Sequence, residues 1–406
     1  MGDFFQNGRI TTLHNLATRT LEDMEEELIN FSHIRPMGLI LPSLYSELER
    51  PALTTIVDEL EKVKYLNQIV IGIDQADKDE FRHAIKFFSR LPQQHNLLWN
   101  DGPNLREIDA KLRKEGLAPT EMGKGRNVWY CMGYMLAKQN TQAVALHDCD
   151  IITYKRDMLA HLLYPVANPQ FRYKFCKGFY PRIASNSMNG RASRLLVSPL
   201  VRALNYQHGP HDYLEYLDSF RYPLAGEFSM SIDVLESLRM PTDWGLEVGI
   251  LMEMKKNFDT SNICQVDIAD NYDHKHQNLS PEDAEKGLSR MSVEIAKAMF
   301  KKLATDGITF SKESLRTTKA TYYRIALDLI DSYRNDAIFN GLSYETHEEE
   351  MMVELFAENI KAAGKSFLED TDKAPFIPSW HRVSSAIPDI FVQLLDAVEQ
   401  DRKELS

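Results

Sequence analysis

The chain has 406 residues, 43% of them apolar and 26% charged, and carries a formal net charge of −12. That length accommodates one large domain and a smaller region, and the composition is that of a globular protein. The acidic balance excludes a broad nucleic-acid footprint, so any phosphate must be held by local cations and backbone N–H groups.

Residues 9–33 are patterned as an amphipathic arm, and 1–35 is read as an N-terminal helical arm. Residues 37–42, Met-Gly-Leu-Ile-Leu-Pro, form a short apolar strand. A helix is predicted over 52–64 and a second strand over 67–74, ending in Asp74. Helices follow at 78–89 and 128–139, the latter entered through Gly123-Lys124-Gly125. The apolar run 143–146 is a strand that delivers Asp148 and Asp150. This alternation argues for a largely parallel sheet with helices on both faces. Further on, 171–179 and 224–229 are candidate strands, and Met188-Asn189-Gly190-Arg191 is a turn feeding a helix to about 204. A short strand is expected at 265–269. Beyond about 281 the pattern changes to long helices at 287–303, 318–333, 348–363 and 388–400, with a loop at 370–378. The organisation expected is an arm (1–35), an α/β domain (36–280, divided at 155/156) and a C-terminal helical region (281–406).

The four cysteines, Cys131, Cys149, Cys176 and Cys264, contain no CxxC pair and form no disulfide framework, which points to a reducing, cytoplasmic setting. No apolar run approaches the ~18 residues of a membrane span. The start, Met-Gly-Asp-Phe-Phe-Gln-Asn, lacks a signal pattern. Neither a membrane nor a nucleic-acid partner is expected.

Asp148 and Asp150 carry the strongest chemical signal. In a strand, residues i and i+2 share a side, so both carboxylates can meet one ligand where the strand stops. Hard oxygen donors at the carboxyl end of a buried strand suit a divalent cation that also holds phosphate oxygens. The plainer reading is an Asx turn. Gly123-Lys124-Gly125-Arg126 opens a helix whose free N–H groups suit an anion, though a solvated glycine turn reads equally well. The GxxxxGK[ST] spacing of a Walker A loop is missing. Asn189-Gly190-Arg191-Ala192-Ser193-Arg194 is another small-anion candidate. In Asp273-His274-Lys275-His276-Gln277 either histidine could join the aspartates on a metal. Glu227 after Leu224-Ala225-Gly226, and Glu247 after Trp244-Gly245-Leu246, could orient sugar hydroxyls or simply bound an element.

Taken in order, Leu41-Pro42…Glu47, Ile73-Asp74, Gly123-Lys124-Gly125, Asp148-Cys149-Asp150, Asn189-Gly190-Arg191, Leu224-Ala225-Gly226-Glu227, Gly245-Leu246-Glu247 and Gln265-Val266-Asp267…His274 resemble a nucleotide-sugar glycosyltransferase of the GT-A type. More narrowly, they resemble the glucosyl-3-phosphoglycerate and mannosyl-3-phosphoglycerate synthase family over roughly 36–300. The resemblance implies a Rossmann-like, mixed but mostly parallel α/β sheet with the C-terminal helices as an extension. It implies a retaining, Mg2+- or Mn2+-dependent transfer of glucose from a UDP- or GDP-sugar to the 2-hydroxyl of 3-phosphoglycerate, in an enzyme of compatible-solute synthesis, and a homodimer.

Position by position, it implies donor contacts from Pro42, Ser43, Glu47, Asp74, Lys124 and Asp148. Asp150 and His274 would be metal ligands, and Gly190, Arg191 and Ser193 the acceptor-phosphate loop. Glu247 would lie near the transferred sugar, with Asp150, Lys124 and Glu247 forming the catalytic group. Departures at 43–47, Ser-Leu-Tyr-Ser-Glu, and at 74–77, Asp-Gln-Ala-Asp, bear on the choice of nucleotide. No residue stands out as a covalent nucleophile, so front-face transfer is expected.

Other readings are a mannosyl-3-phosphoglycerate or glucosylglycerate synthase, a haloacid-dehalogenase-type phosphatase and a non-catalytic nucleotide-sugar-binding protein. The phosphatases place Thr or Val where Ile152 stands and carry their DxD near the start of the domain.

Overall fold

The computed structural model describes residues 6, 8–119, 122–241, 245–274, 287–369 and 376–405. The expectations at Trp244, Lys275, His276 and Gln277, the boundary near 281 and the first part of the 370–378 loop lie outside the described residues.

The strands are β1 (Thr11–Leu13), β2 (Met37–Leu44), β3 (Leu66–Asp74), β4 (His95–Trp99), β5 (Ala143–Leu146), β6 (Phe175–Phe179), β7 (Ile183–Ala184), β8 (Ser187–Met188), β9 (Phe228–Ser231), β10 (Met240–Pro241), β11 (Ile263–Asp267) and β12 (Phe376–Ile377). Eight of them form one sheet in the order β1-β11-β6-β9-β5-β2-β3-β4. β9 runs against both of its neighbours, and the other pairings are parallel. The carboxyl ends of β2, β3, β5, β6 and β11 therefore open on one edge, where such sheets hold their ligands.

Successive strand residues feed opposite faces. On β2 and β3, Ile40 and Val70 join one core cluster while Leu39, Leu41, Ile69 and Ile71 join the other. Both faces are covered, so these strands are apolar almost throughout. Each such side chain contributes ~1.5–3 kcal/mol by leaving water. One face carries α1 (Leu21–Ser32), α2 (Pro51–Leu60), α3 (Lys78–Phe88) and, later in the chain, α6 (Arg156–Ala167). The opposite face carries α4 (Pro103–Lys114), α5 (Lys124–Lys138), α7 (Ser198–His208), α8 (Asp212–Asp218), α9 (Ile232–Ser237), α10 (Leu246–Asn257), α11 (Gly287–Thr305), α12 (Lys312–Phe339), α13 (Thr346–Glu369), α14 (Trp380–Ala386) and α15 (Ile390–Lys403).

The last helices fold back on the sheet domain. Asp401 accepts the Asn104 and Leu105 N–H groups at 3.1 and 3.2 Å, a carboxylate on the amino end of α4. Trp380 stacks on Trp129 of α5 at a ring separation of 4.1 Å. The contact needs Gly133, because a Cβ there would lie 2.1 Å from the Trp380 ring.

Several elements differ from expectation. The N-terminal arm is not helical throughout: Thr11–Leu13 is strand β1 on the sheet edge, and the helix begins at Leu21. The strand expected at 224–229 starts at Phe228, leaving Leu224–Glu227 as a loop. Within the expected 370–378 loop, Phe376–Ile377 pairs with β10. β4, α4, α6 and α10 were not expected at all.

Candidate active site

The apolar strand β5 ends at Leu146, and the chain then presents Asp148 and Asp150 beyond the carboxyl edge. A second segment reaches the same place after β11. Ile151 and His274 form an antiparallel bridge, reinforced by Ile152 N–H donating to the Asp273 carbonyl at 2.8 Å. One ligand atom each from Asp148, Asp150 and His274 therefore lie within 4.8 Å of one another. His274 Nδ1 is 3.8 Å from Asp150 Oδ1.

The donor set suits a divalent cation. Asp150 Oδ1 is buried and has no hydrogen-bond partner among the described residues, a state costly for a carboxylate oxygen unless a ligand completes it. Two carboxylates and an imidazole match Mg2+ or Mn2+. Burial raises the Asp150 carboxyl to about 7, and the neighbouring Asp148 charge adds to that rise. Glu47 and Glu227 oppose its ionisation too. A bound cation would reverse this balance.

Lys124 opens α5 after Gly123, whose φ of 141° needs glycine. Its Nζ lies 2.7 Å from Asp148 Oδ1 and 3.3 Å from Glu247 Oε1. Burial works against the Asp148 charge, but Lys124 outweighs it and holds the carboxyl below its ordinary value. Reciprocally, Asp148 and Glu247 overcome the effect of burial on Lys124 and keep it protonated. Gly226 makes this closeness feasible, since a Cβ there would sit 2.6 Å from Asp148 Oδ2 and 3.3 Å from Lys124 Nζ.

Ser43 and Glu47 are buried at the end of β2 and in the 3-10 turn after it, with Pro42 preceding them on the strand. Asp74 ends β3 and accepts Asn100 Nδ2 at 2.8 Å; burial raises its carboxyl. The structure thus brings Asp148, Asp150, His274, Lys124 and Glu247 into one cluster. Pro42, Ser43, Glu47 and Asp74 lie along the same strand edge. Gly190, Arg191 and Ser193 stand apart, after the β7–β8 hairpin: Gly190 makes the turn at φ 74°, and Arg191 and Ser193 lie in the first turn of a π-helical segment, Ala192–Val197, that runs into α7.

That helix start is braced by the C-terminal helical region. Arg191 Nε lies 2.6 Å from Glu349 Oε1, and its Nη2 lies 3.0 Å from Glu348 Oε2. Arg194 Nη1 reaches Glu349 Oε2 at 2.9 Å.

Residue patterns left the role of one further group open and missed another. Glu227, read only as a boundary or sugar contact, is fully buried; Tyr180 and Tyr272 donate their hydroxyls to its two oxygens at 2.5 and 2.6 Å. Burial, then Asp148, raises its carboxyl. Lys177 on β6 is buried, donates to the Ala225 carbonyl, and is pulled down to about 8 by burial against the attraction of Glu247 and Glu227. The alternation of β6 gave the only signal for Lys177: a lysine inside Phe-Cys-Lys-Gly-Phe.

Two relatives match along their whole lengths. One is the glucosyl-3-phosphoglycerate synthase of Persephonella marina, 42% identical over all of both chains. The other is that of Methanococcoides burtonii, 38% identical over 99% of this chain and 98% of its own. The chain belongs to the glucosyl-3-phosphoglycerate synthase family. It is a glycosyltransferase. Its fold matches the Mycobacterium tuberculosis glucosyl-3-phosphoglycerate synthase, solved with Mn2+, UDP-glucose and phosphoglyceric acid (TM-score 0.54, 20% identity, 74% of this chain and 89% of that one). It also matches the mannosyl-3-phosphoglycerate synthase of Rubrobacter xylanophilus (TM-score 0.54, 20% identity, 74% and 83%). A search with protein-family models returned no match. No helix among the described residues is long and apolar enough to cross a membrane.

Proposed function

We propose that this family member moves glucose from UDP-glucose to the 2-hydroxyl of 3-phosphoglycerate with retention, using Mg2+ or Mn2+. The observation carrying this is the convergence of Asp148, Asp150 and His274 within 4.8 Å, beside Lys124, at the carboxyl edge of the sheet. The full-length relatives named for this reaction supply the substrates.

Asp150 and His274, with Asp148 beside them, would hold the cation. When bound, it neutralises charge developing on the departing diphosphate. Lys124 adds a fixed positive charge that Asp148 and Glu247 keep protonated. Pro42, Ser43, Glu47 and Asp74 line the edge where the nucleotide would lie. Glu247, in the first turn of α10, orients the sugar. The Gly190-Arg191-Ser193 loop receives the acceptor and turns its 2-hydroxyl to the anomeric carbon, a positioning effect that lowers the barrier by several kcal/mol. Each oxygen of Glu227 accepts a tyrosine hydroxyl. This orients the carboxylate as a hydrogen-bonding group and favours front-face transfer over a covalent intermediate.

All four cysteines are free and buried, which supports a cytoplasmic setting. A homodimer and a role in compatible-solute synthesis complete the proposal.

The test is a matrix of UDP- and GDP-linked glucose and mannose against 3-phosphoglycerate and glycerate, with and without Mn2+. The expected product is glucosyl-3-phosphoglycerate from UDP-glucose, formed only with metal. Mannosyl transfer as the faster reaction, or free phosphate without sugar transfer, would refute the assignment.

A further inference from the structure

Lys177 takes no part in the mechanism above, yet it is only 1% exposed. It sits in β6, whose five residues are all buried. Lysine is almost never buried this far without partners, since desolvating an ammonium is costly. Burial opposes its charge here, and the Glu247 and Glu227 carboxylates support it. In the β6–β9 pairing Lys177 stands opposite Phe228, the first residue of β9. That is the point where the Leu224–Glu227 loop enters the sheet.

Two neighbours on β6 tie this loop down. The Lys177 ammonium donates to the Ala225 carbonyl and lies 5.6 Å from the centre of the Phe228 ring. Gly178 N–H donates to the Glu227 carbonyl at 2.9 Å. A Cβ on Gly178 would stand 3.3 Å from that carbonyl oxygen, so strand and loop pack closely. Between the two anchored carbonyls lies Gly226, which faces the cluster: a Cβ there would be 2.6 Å from Asp148 Oδ2 and 3.3 Å from Lys124 Nζ. Ala225 is one residue from that contact, and an ammonium holds a carbonyl more firmly than a neutral donor does. An ångström of drift in the loop would press Gly226 into Asp148 or draw it away from Lys124. Misplacements of that size at a reacting centre cost about 10²-fold in rate.

We propose that Lys177 is a positioning residue for sugar transfer: its ammonium pins the Ala225 carbonyl and so fixes Gly226 against Asp148 and Lys124, and Glu227 between its two tyrosines. Lys177 touches neither substrate nor metal and acts through the loop alone. This rests on the reading that glucose is transferred at this cluster.

Steady-state kinetics of Lys177→Met, an apolar side chain of similar length, test it, with Mn2+ and UDP binding read by calorimetry. The variant should lose about 30- to 100-fold in kcat, while both substrate KM values stay within about threefold of the wild type. UDP, which lacks the sugar, should bind as before. Mn2+ should bind as tightly or more so, because a positive charge near the site has gone. An unchanged kcat would overturn the proposal, as would a rise in KM that accounts for the whole loss. If Lys177→Met loses Mn2+ and UDP together, its site has collapsed and Lys177→Gln, which keeps a shorter donor, is read by the same criteria. The same double loss there would show a role in folding only and overturn the proposal. A wild type that transfers no glucose would refute the proposed function and this inference with it. A wild type that transfers beside an equally active methionine variant would refute this inference alone.

Discussion

The donor side and the acceptor side of this site are built on opposite principles. On the donor side, charged groups come from strand ends and a helix start, and at least one oxygen, Asp150 Oδ1, is left open for a ligand. On the acceptor side, Arg191 is closed into ion pairs with Glu348 and Glu349 of α13 and Arg194 into one with Glu349, which lies 158 residues beyond Arg191 in the chain. The first region is poised for a cation; the second is already neutralised and acts as scaffold. The C-terminal helices are therefore part of the acceptor wall, and substitutions in the two regions should fail in different ways.

The largest contrast is expected at Asp150. Asp150→Ala should lower turnover by about 10³-fold at saturating Mn2+ while the melting temperature stays near that of the wild type. Unchanged turnover with excess metal would remove the cation from this site. His274→Ala should weaken Mn2+ affinity by about 10- to 100-fold, a loss partly recovered at high metal; a wild-type titration curve would exclude the histidine. Lys124→Met removes a fixed charge held by Asp148 and Glu247, and should cost about 10²-fold in turnover with little change in acceptor KM. An acceptor KM that rose with it would break the division into two regions.

How much of this could be read beforehand follows the same division. Asp148 and Asp150 were legible because an apolar strand stopping at two alternating carboxylates is a local pattern. Lys124 was legible because glycines flank it at a helix start. The polar run 273–277 marked two candidate histidines, and only the order of motifs singled out His274, since its position depends on a bridge to Ile151. Nothing local marks Glu349, which sits in a Glu-rich helix start, His-Glu-Glu-Glu, that reads as a solvated face. Helix α10, Leu-Glu-Val-Gly-Ile-Leu-Met-Glu-Met, is buried on nearly all sides and so lacks an amphipathic period. Helix α6 carries Pro165 in its last turn, which obscured its pattern. Strand β1 is three residues long and exists only because β11, some 250 residues later, offers an edge.

Glu349 tests whether the C-terminal region is structural to the acceptor side. Glu349→Ala leaves two guanidiniums without their shared, buried carboxylate, and should cost about 3 kcal/mol. The expected melting temperature is lower by about 5 °C. Acceptor KM should rise, because the turn and helix start carrying Gly190 and Ser193 lose their brace, while UDP-glucose KM holds. Equal changes in both constants would mean that the two regions are not separable.

The smallest effect is expected at a matching ion pair on the donor side. Asp109 of α4 accepts the Tyr130 hydroxyl and Arg113 Nε, each at 2.7 Å, and lies 3.4 Å from Arg126, whose side chain is 1% exposed. Burial works against the Asp109 charge, but Arg113, Tyr130 and Arg126 outweigh it and hold the carboxyl below its ordinary value. A carboxylate with a depressed folded value stabilises fully above its unfolded value, about 3.9, and loses that contribution as pH falls through the folded one. Asp109→Asn should therefore cost about 2 kcal/mol at neutral pH. The gap from the wild type should close in acid, where the native carboxyl is itself neutral. Denaturant melts from pH 7 down to 2 would measure this. A gap that stayed constant with pH would show that packing, not charge, joins α4 to α5. Acceptor KM should not move at all, because Asp109 braces the helix that carries Lys124 and touches nothing in the acceptor loop. That silence, set against the response of Glu349→Ala, distinguishes a brace of the acceptor wall from one that merely stabilises the fold.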